Sequence, residues 1–393
     1  MAFRTLKDIN VRHKKVLVRV DFNVPIDSRG RIADDTRIRA AIPTIEYLLR
    51  KQAIVILMTH FGRPKGVEDK FRTDILAQRL AELLKRPVYK YDDVIGADVE
   101  DSINVLVYGE VCLLENLRFY PEEEKNDEGF AMALSELADV YVNDAFSVSH
   151  RAHASVHAIT KYLPSAAGFQ LQKGIETMDR ALHNPKRPYL AVMGGAKVSD
   201  KIEVIENLLK KVDALLIGGA MMFTFLKATG ASIGRSLYEP DKVALAGKLL
   251  RKARGKIVLP VDCVAAKSPK SPAKVVDVRK IPSGRMGLDI GPETQAIYAQ
   301  MLSGAKTVVW NGPVGLFEVP KFAKGTFALA KTIAKLDATT IVGGGDTIDA
   351  INKRGLGKKF THLSTGGGAS LDFFAGKTLP AIKALEENYA RRI

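Results

Sequence analysis

The sequence predicts an α/β protein of two domains, each built on a doubly wound parallel sheet, with a hinge helix joining them. Short apolar runs alternate with segments whose apolar residues recur at helical spacing, which is typical of parallel strands covered by helices on both faces. The 393 residues suit two domains, and a hydrophobic fraction of 46% allows each domain to bury its own core. The strand ends carry polar residues or glycines, as in sheets that bind ligands beyond the carboxyl ends of their strands. These observations predict two Rossmann-like domains.

In the first half of the chain, residues 1–170, polar side chains follow the predicted strands. Those strands are residues 16–20, 53–58, 111–114 and 140–142. The predicted helices are residues 75–84, residues 130–137, and an earlier helix that Asp34 and Asp35 can cap, with Ile38, Ile42, Ile45, Leu48 and Leu49 on one face. The polar residues at the strand ends are Asp21, Asn23, His60, Arg63, Arg118 and Arg151, and Arg37 begins the first helix. We expect these side chains to form one cluster at an edge of the sheet.

This cluster indicates a small, strongly anionic and hydroxylated ligand. Guanidinium groups match carboxylate and phosphate with paired N–H donors, and Asp21 and Asn23 suit a hydroxyl. Recurrence at several strand ends favours a binding site over ordinary surface arginines. A metal site is the weaker reading of His150, His153 and His157, because no cysteine or carboxylate stands at a matching spacing.

The second half repeats the alternation but ends its strands on glycine. Residues 171–186 are predicted to form the connecting helix, and residues 187–379 the second domain. Its predicted strands are residues 189–193, 214–217, 307–310, 339–342 and 362–364, followed by Gly194-Gly195, Gly218-Gly219, Asn311-Gly312-Pro313, Gly343-Gly344-Gly345-Asp346 and Thr365-Gly366-Gly367-Gly368. Exposed backbone amides and helix N-termini suit a larger phosphorylated ligand with flat apolar parts, such as a nucleotide.

Lys197 and Lys201 strengthen the prediction of an anion site. They stand four residues apart after Gly194-Gly195, so we expect them on one face, at a helix start where the positive dipole normally disfavours lysine. A bound anion would explain both lysines, and bare glycine backbone would let a phosphate approach. Taken alone, the stretch fits equally well a simple turn with solvated lysines. Asp346, at another strand end, would suit Mg²⁺, a helix cap, or both.

The formal net charge of +15 lies in the second half of the chain. Residues 171–393 hold 35 basic and 19 acidic residues, whereas residues 1–170 hold 24 and 25. A basic half attracts polyanions, so a nucleic-acid-binding or surface-binding protein is one alternative. Many of these lysines fall on predicted helix faces and loops, so we do not expect nucleic acid to be the main partner.

Other signals exclude several protein classes. Two cysteines, Cys112 and Cys263, predict neither a disulfide framework nor a cysteine-based zinc site. The longest apolar run, residues 214–226, is interrupted by glycines and too short for a membrane span, and no leader pattern opens the chain. We therefore expect a cytoplasmic protein without membrane attachment. Gly376-Lys377-Thr378 looks like the end of a P-loop, but Leu371 replaces its required glycine, and no GxGxxG follows a strand.

Ten motifs, in this order, resemble those of the phosphoglycerate kinase family. They are VRVDFNVP, DDTRI, HFGRP, LLENLRFY, HRAHAS, GGAKVSDKI, LDIGP, WNGPVGLFE, GGGDT and STGGGASL, and the resemblance runs from about Val18 to Pro380. Phe61 stands where leucine is usual, and Ser147-Val148-Ser149 replaces the usual Gly-Thr-Ala before His150. Neither departure removes a charged group, so they concern loop packing.

The resemblance implies reversible phosphoryl transfer from 1,3-bisphosphoglycerate to MgADP, giving 3-phosphoglycerate and MgATP. The implied acid-binding residues are Asp21, Asn23, Arg37, His60, Phe61, Gly62, Arg63, Arg118 and Arg151. The implied nucleotide-binding residues are Gly195, Ala196, Lys197, Lys201, Gly219, Gly287, Asn311, Pro313, Gly315, Leu316, Glu318, Gly344, Gly345, Asp346 and Thr347. Glu318 would bind the ribose hydroxyls and Asp346 the Mg²⁺. Arg37, Lys197 and the amides near Gly345 and Gly367 would stabilise the phosphoryl group in transfer.

The resemblance also implies how the domains cooperate. The acceptor is already an anion, so transfer needs positioning and charge stabilisation, with no covalent intermediate. The domains must close about the hinge, and residues 380–393 are expected to pack back on the first domain. We expect a monomer that acts in glycolysis and gluconeogenesis. A kinase of the same build that acts on another small acid remains an alternative.

Overall fold

The computed structural model describes residues 2–364 and 366–391. The chain divides into two compact units, which are Met1–Ile175 with Thr378–Ile393, and Glu176–Lys377. The division falls within one helix, Phe169–His183, in the region where the connecting helix is predicted. Thr365, at a predicted strand end, and Arg392 and Ile393, in the predicted C-terminal segment, lie outside the described residues.

The first unit contains a six-stranded parallel sheet in the order β3-β4-β2-β1-β5-β6. Its strands are β1 (Lys15–Arg19), β2 (Ile54–Met58), β3 (Tyr89–Lys90), β4 (Val111–Leu113), β5 (Val140–Asn143) and β6 (Ser165–Ala167). Its helices are α1 (Thr36–Arg50), α2 (Asp74–Leu84), α3 (Ala97–Asn104), α4 (Pro121–Glu124) and α5 (Glu128–Glu136), and α6 (Phe169–His183) begins in it.

The core of this unit follows from the apolar runs of its central strands. Strand β2 is buried along its whole length, as expected for a parallel strand with helices on both faces. Helix α1 adds Ile38, Ile45 and Leu48, whose helical spacing places them on the face that packs against the sheet. The strand ends, and the loops after them, are thereby held at one edge of a rigid layer.

The second unit contains another six-stranded parallel sheet, in the order β10-β8-β7-β15-β16-β17. The strands of the unit are β7 (Tyr189–Met193), β8 (Ala214–Ile217), β9 (Ser232–Ile233), β10 (Ile257–Val258), β11 (Asp262–Ala266), β12 (Ala273–Asp277), β13 (Lys280–Ile281), β14 (Met286–Ile290), β15 (Thr307–Asn311), β16 (Thr339–Gly343) and β17 (His362–Ser364). Its helices are α7 (Ile202–Leu209), α8 (Met221–Ala228), α9 (Val243–Ala253), α10 (Pro292–Ser303), α11 (Lys324–Ile333), α12 (Gly345–Asn352) and α13 (Gly367–Phe374). The predicted fold class, α/β with two doubly wound parallel sheets, is confirmed.

A small antiparallel sheet, in the order β12-β11-β14, was not predicted. Its edge strand β12 contains no buried residue, so it lacks the continuous apolar run that marks the buried parallel strands. Strand β14 carries Gly287 and Asp289. This sheet therefore supplies part of the candidate site described below.

The last helix, α14 (Pro380–Arg391), belongs to the first unit although it follows the second in the chain. Its Asn388 is buried, and the side-chain amide donates to the carbonyls of Thr160 (2.7 Å) and Leu163 (2.9 Å). The same side chain accepts from the backbone N–H of Ser165 at 3.0 Å. Because an unpaired buried amide is costly, these bonds tie α14 to the end of the first sheet.

Two predicted helix caps differ from the structure. Asp35 occupies the N-cap position of α1, but its side chain makes no capping hydrogen bond, because its carboxylate accepts from Arg39 (2.8 Å) and Arg79 (2.7 Å). Asp34 accepts instead from the backbone N–H of Thr36 at 2.8 Å. The alternative role of Asp346 as a helix cap is wrong, since Gly344 is the N-cap residue and α12 begins before Asp346.

Candidate active site

Asp21, directly beyond strand β1, is the centre of the first cluster of predicted site residues. Its carboxylate accepts from the guanidinium of Arg37, with a shortest distance of 2.7 Å, and from the hydroxyl of Ser147 at 2.5 Å. Sequence reasoning treated Ser147 only as a departure in loop packing. The structure shows that its hydroxyl is a polar partner of Asp21, and no motif in the sequence signalled this contact.

The loop after strand β2 is held from two sides. The Asn23 side chain accepts from the backbone N–H of Gly62 at 2.8 Å, and Arg118 donates to the Gly62 carbonyl at 2.7 Å. Gly62 has a φ of +65°, and a Cβ there would lie 2.3 Å from the ring of Phe71, so only glycine fits. Phe61 directs its side chain into the hydrophobic core, so it can meet a ligand only through its backbone.

The carboxylate of Glu124 lies close to two of the predicted arginines. Glu124 lies 3.0 Å from Nε of Arg118 and 4.0 Å from Arg151. Burial lowers the pKa of Arg118, an effect that the charge of Glu124 partly offsets. Arg63 is exposed. The arginines are therefore paired with carboxylates or open to solvent, which leaves their N–H groups available to an anion that displaces those partners.

His60 lies in the same cluster and is buried. Burial lowers its pKa well below the usual value, and the nearby charges of Arg19, Arg118 and Arg37 lower it further. This environment therefore favours the neutral form of the imidazole. Arg19, which sequence reasoning missed because it lies inside a strand rather than after one, contacts it directly.

The second unit contains a cavity of about 290 Å³. Predicted nucleotide-binding residues that line it are Gly195, Ala196, Gly219, Gly287, Pro313, Gly315, Leu316, Glu318 and Asp346. Apolar residues that were not predicted complete its wall, namely Ala220, Met222, Phe223, Leu237, Met286, Leu288 and Val314. Hydrophobicity alone did not distinguish these residues from the core. A concave, mainly apolar cavity with a few polar groups suits a flat organic base.

Two glycines of this cavity are required by close packing. A Cβ at Gly219, whose φ is +64°, would lie 2.5 Å from the backbone of Gly195. A Cβ at Gly287 would lie 2.2 Å from the ring of Phe223. These glycines therefore let the walls of the cavity approach each other, besides any contact that they make with a ligand.

The structure separates the two lysines that were expected to share one face. Residues Ser199–Lys201 form a single 3₁₀ turn and α7 begins only at Ile202, so the expected shared face is wrong. Lys197 is exposed, whereas Lys201 is buried. The Lys201 ammonium donates to the carbonyls of Gly194 (2.7 Å) and Asn311 (3.1 Å) and to the Asn311 side chain (2.7 Å). Its three N–H donors are thus satisfied by protein acceptors.

Burial also changes the acidity of Lys201. It lowers the pKa of the ammonium to about 8, and the charges of Asp200 and Asp346 offset part of this effect. The side chain joins the ends of strands β7 and β15 beneath the glycine turns. Lys201 therefore fixes the loops after these strands through its hydrogen bonds. Lys197 is the lysine that is accessible to a ligand.

The remaining predicted residues of this unit lie at two helix N-termini. Gly344 and Gly345 are at the start of α12, and Gly367 begins α13. A Cβ at Gly367 would lie 3.3 Å from Cα of Gly344, so the two helix starts are adjacent. Thr347 is buried and accepts from the backbone N–H of Gly312 at 2.9 Å. Neighbouring helix N-termini present unpaired amides and positive dipoles, which suit phosphate groups.

Asp346 is the carboxylate best placed for a metal ion. It is exposed in the first turn of α12 and lines the cavity. Among the described residues, no group of three or more His, Cys, Asp or Glu side chains could hold a metal. A single carboxylate nevertheless fits Mg²⁺, which commonly takes one or two carboxylates together with substrate phosphates and waters.

Asp289 is a buried acid in the cavity wall that sequence reasoning did not assign. Its two carboxyl oxygens accept from the backbone N–H groups of Gly325 (2.8 Å) and Ile290 (2.9 Å). Burial raises its pKa to about 8, although these hydrogen bonds oppose the shift. Its only sequence signal was its place within the LDIGP motif.

None of the helices within the described residues combines the length and the apolarity needed to cross a bilayer.

Comparisons with known proteins agree on one family. A family model described as phosphoglycerate kinase matches residues 6–377. The chain is 57% identical over 393 residues to the phosphoglycerate kinase of Moorella thermoacetica, covering 98% of this chain and 100% of that protein. It is 52% identical over 391 residues to that of Pelotomaculum thermopropionicum, covering 98% and 99%.

Solved structures of the same family are similar to this fold. The phosphoglycerate kinase of Coxiella burnetii matches with a TM-score of 0.87 at 40% identity, covering 98% of this chain and 99% of that one. The enzyme of Pyrococcus horikoshii OT3 matches with a TM-score of 0.89 at 36% identity, covering 99% and 100%.

Proposed function

Because the chain belongs to the phosphoglycerate kinase family, we propose that its two units divide the reaction, with the acid bound to the first and the nucleotide to the second. The protein is a phosphotransferase of glycolysis that moves a phosphoryl group between 1,3-bisphosphoglycerate and ADP. The contrast between the two sites supports the division. The first unit offers guanidinium groups, whereas the second offers glycine backbone and an apolar wall.

In the first unit, we assign 3-phosphoglycerate to the cluster of Asp21, Asn23, Arg37, His60, Arg63, Arg118 and Arg151, with the backbone of Phe61 and Gly62. The acid carries a carboxylate and a phosphate, which match arginine N–H groups. On binding, it competes with Asp21 for Arg37 and with Glu124 for Arg118. The guanidinium groups would thus face a negative charge in both states, from Asp21 and Glu124 without ligand and from the acid when it is bound.

In the second unit, the base would lie against the apolar wall near Phe223 and Leu288, with the exposed Glu318 bound to the ribose hydroxyls. The phosphates would meet the N-termini of α12 and α13. Asp346 would hold Mg²⁺, which neutralises negative charge on the nucleotide phosphates when it is bound. The hydrogen bonds of Lys201 to Gly194 and Asn311 are already made within the protein, so this lysine would hold the surrounding loops in place without contacting the phosphates.

The chemistry needs no general base in the direction that makes ATP. The attacking group is a terminal phosphate oxygen of ADP, which is already an anion. The exposed Lys197 and the guanidinium of Arg37 would stabilise the transferring group, with amides near Gly345 and Gly367. These residues belong to different units, so we propose that the units approach each other during turnover and exclude water.

Calorimetric titration of each ligand tests the division between the units. Arg63→Ala should weaken binding of 3-phosphoglycerate by about 1.5–3 kcal/mol, the typical worth of a hydrogen bond to a charged group, and leave MgADP binding nearly unchanged. Glu318→Ala should show the reverse pattern. Equal losses for both ligands in either variant would contradict the division.

The glycolytic role also supports the proposal that the protein acts in the cytoplasm, as a monomer. Sedimentation velocity at micromolar concentration tests the oligomeric state. A single species near the chain mass of 42.9 kDa is expected, and a species of twice that mass would contradict it.

A further inference from the structure

A buried arginine outside the assigned acid site, Arg19, contacts His60 directly. Arg19 ends strand β1 and is 1% exposed. Its NH2 group lies 3.0 Å from Nδ1 of His60. A guanidinium has only hydrogen-bond donors, so Nδ1 must be the acceptor in this bond. The ring is then neutral, with its proton on Nε2.

The orientation of Arg19 is determined by a chain of hydrogen bonds that runs in one direction. Its Nε donates to the Ser155 hydroxyl at 2.9 Å, and that hydroxyl donates to Glu123 at 2.6 Å. The Ser155 hydroxyl has only one proton, so the carboxylate of Glu123 forces it to accept from Arg19.

Two further contacts prevent the guanidinium from turning. Its NH1 donates to the Val20 carbonyl at 2.5 Å. Glu123, itself fully buried and also bonded to the Ser155 backbone N–H at 2.9 Å, lies 4.0 Å from NH2 and supplies the countercharge. Each nitrogen of the Arg19 guanidinium therefore has an assigned acceptor, and NH2 is left to His60.

The charges around His60 favour the same neutral form. Burial lowers its pKa, and the charges of Arg19, Arg118 and Arg37 act in the same direction. The neighbouring His153 adds no charge at neutral pH, because burial lowers its pKa to about 3. The hydrogen bond to Arg19 uses Nδ1, which leaves Nε2 to carry the proton.

We propose that Arg19 is a positioning residue that holds His60 protonated on Nε2, so that the ring can only donate toward an anionic oxygen of the acid substrate. The other tautomer would direct a nitrogen lone pair at that anion and repel it. Arg19 does not itself contact the substrate in this arrangement. The inference rests on the proposed acid site of the first unit.

Nitrogen NMR of the full-length, ¹⁵N-labelled protein measures the tautomer directly. The His60 signals, identified by their absence in His60→Gln, should show a protonated Nε2 and an unprotonated Nδ1 near neutral pH. The Nε2 signal should shift when 3-phosphoglycerate is added. A proton on Nδ1, or a mixture of tautomers, would overturn the inference. If the His60 signals still shifted on addition of 3-phosphoglycerate, the proposed acid site would nevertheless stand. If 3-phosphoglycerate binds without moving either His60 signal, the acid-site assignment of His60 fails and the inference fails with it.

An Arg19→Lys variant tests the role of the contact in function. Lysine keeps the charge, but its ammonium lacks the planar fork of N–H groups that donates to Ser155, Val20 and His60. KM for 3-phosphoglycerate should rise about tenfold or more, KM for ATP should stay unchanged, and the His60 signals should show both tautomers. An unchanged KM for the acid with a single Nε2 tautomer would overturn the positioning role.

Arg72→Lys is the matched control. Arg72 also bonds a buried glutamate of the first unit, Glu115, at 3.0 Å, but it contacts no histidine among the described residues. The Arg72→Lys variant should leave the His60 signals and the KM for the acid unchanged, whatever the substitution does to thermal stability. If Arg19→Lys does not fold, the wild-type spectrum still decides the tautomer.

Discussion

Lys197 and Lys201 are four residues apart in the sequence, yet the fold gives them opposite environments. Lys197 is exposed, while Lys201 is 8% exposed and bonded to Gly194 and Asn311. The sequence predicted that both lie near an anion site, because both follow a glycine turn. It could not distinguish them, since the short 3₁₀ turn between them depends on how the loop packs on strand β15.

Lys197→Ala should lower turnover by about 10²–10³-fold, the typical cost of losing one group that stabilises a transition-state charge. Thermal unfolding should not change, because the side chain is exposed. A coupled assay and a melting curve measure the two effects. Lys210→Ala, which removes another exposed lysine beyond α7, is the control and should keep full activity. Full activity in Lys197→Ala would remove this residue from the mechanism.

Asp289→Asn should alter the pH dependence of stability. Burial raises the pKa of Asp289 to about 8, so the folded protein keeps this proton up to about pH 8, whereas the unfolded chain releases it near the ordinary aspartate pKa of 3.8. The folded state thus binds more protons between these values, so this group lowers wild-type stability as pH rises through that window.

Asparagine does not ionise, so the stability of the variant relative to wild type should improve as pH rises from about 4 to about 8. Urea unfolding at several pH values measures the difference. A constant difference across this range would show that the Asp289 carboxyl does not titrate as its burial predicts.

At the scale of secondary-structure elements, most strands of the two parallel sheets were predicted, whereas the short edge strands β3, β6 and β10 and the antiparallel sheet were not. Buried parallel strands such as β2 and β7 are continuous apolar runs that end in polar or glycine residues. Strand β12, by contrast, pairs on one edge only and carries exposed Lys274 and Val275. Its pairing with β11 is decided by contacts between segments, not by its own pattern.

The antiparallel sheet leads to a prediction for Gly287→Ala. The added Cβ would lie 2.2 Å from the Phe223 ring and 3.3 Å from Sγ of Cys263, so the ring, which lines the cavity, must shift. Overpacking of this kind typically costs 1–3 kcal/mol, so MgADP affinity should fall by about tenfold while 3-phosphoglycerate affinity stays the same.

Gly284→Ala, in the turn before β14, is the matched control, since a Cβ there has no atom within 4 Å. It should bind both ligands like wild type. Calorimetry on the two variants gives the comparison. Normal MgADP binding by Gly287→Ala would mean that the nucleotide does not use this wall of the cavity.

At the scale of the whole molecule, the chain crosses twice between the two units. The division first falls within α6, and the chain then returns to the first unit at Thr378 before α14. The buried Asn388 anchors that return through Thr160, Leu163 and Ser165. We expect both crossings to guide the motion that brings the bound acid and nucleotide together.

Small-angle scattering should show a smaller radius of gyration with 3-phosphoglycerate and a non-hydrolysable MgATP analogue together than without ligand. Either ligand alone should cause less compaction, because a ligand that contacts one unit has little differential affinity for the closed state. A doubly liganded protein that scatters like the free protein would contradict the closure model.

Lengthening residues 171–186 by a few residues should lower turnover more than it lowers the binding of either ligand. Each site would remain intact, but the alignment of the reacting groups would be lost. Single-ligand calorimetry and the coupled assay separate the two effects. Normal turnover in the lengthened protein would show that the connecting helix does not align the sites.

Local pattern was enough to predict the α/β class, the central parallel strands and the residue types at their ends. Those features depend on apolar periodicity and on the rule that ligands bind beyond parallel strand ends, and both are readable along the chain. Partners of the site residues depend on distant segments, so only the tertiary structure shows them. Ser147 meets Asp21 across 126 residues, and Arg19 meets Ser155 across 136.

The environments of buried charges were likewise decided only by the fold. Asp289 and Lys201 carry the same types of side chain as many surface residues, and nothing adjacent in the sequence marks them as buried. Desolvation, which raises the pKa of the first and lowers that of the second, depends on every element packed around the group. Such a many-body property is present only when the chain is folded. Charge and motifs could therefore predict candidate sites, but not the pKa values of the buried residues in them.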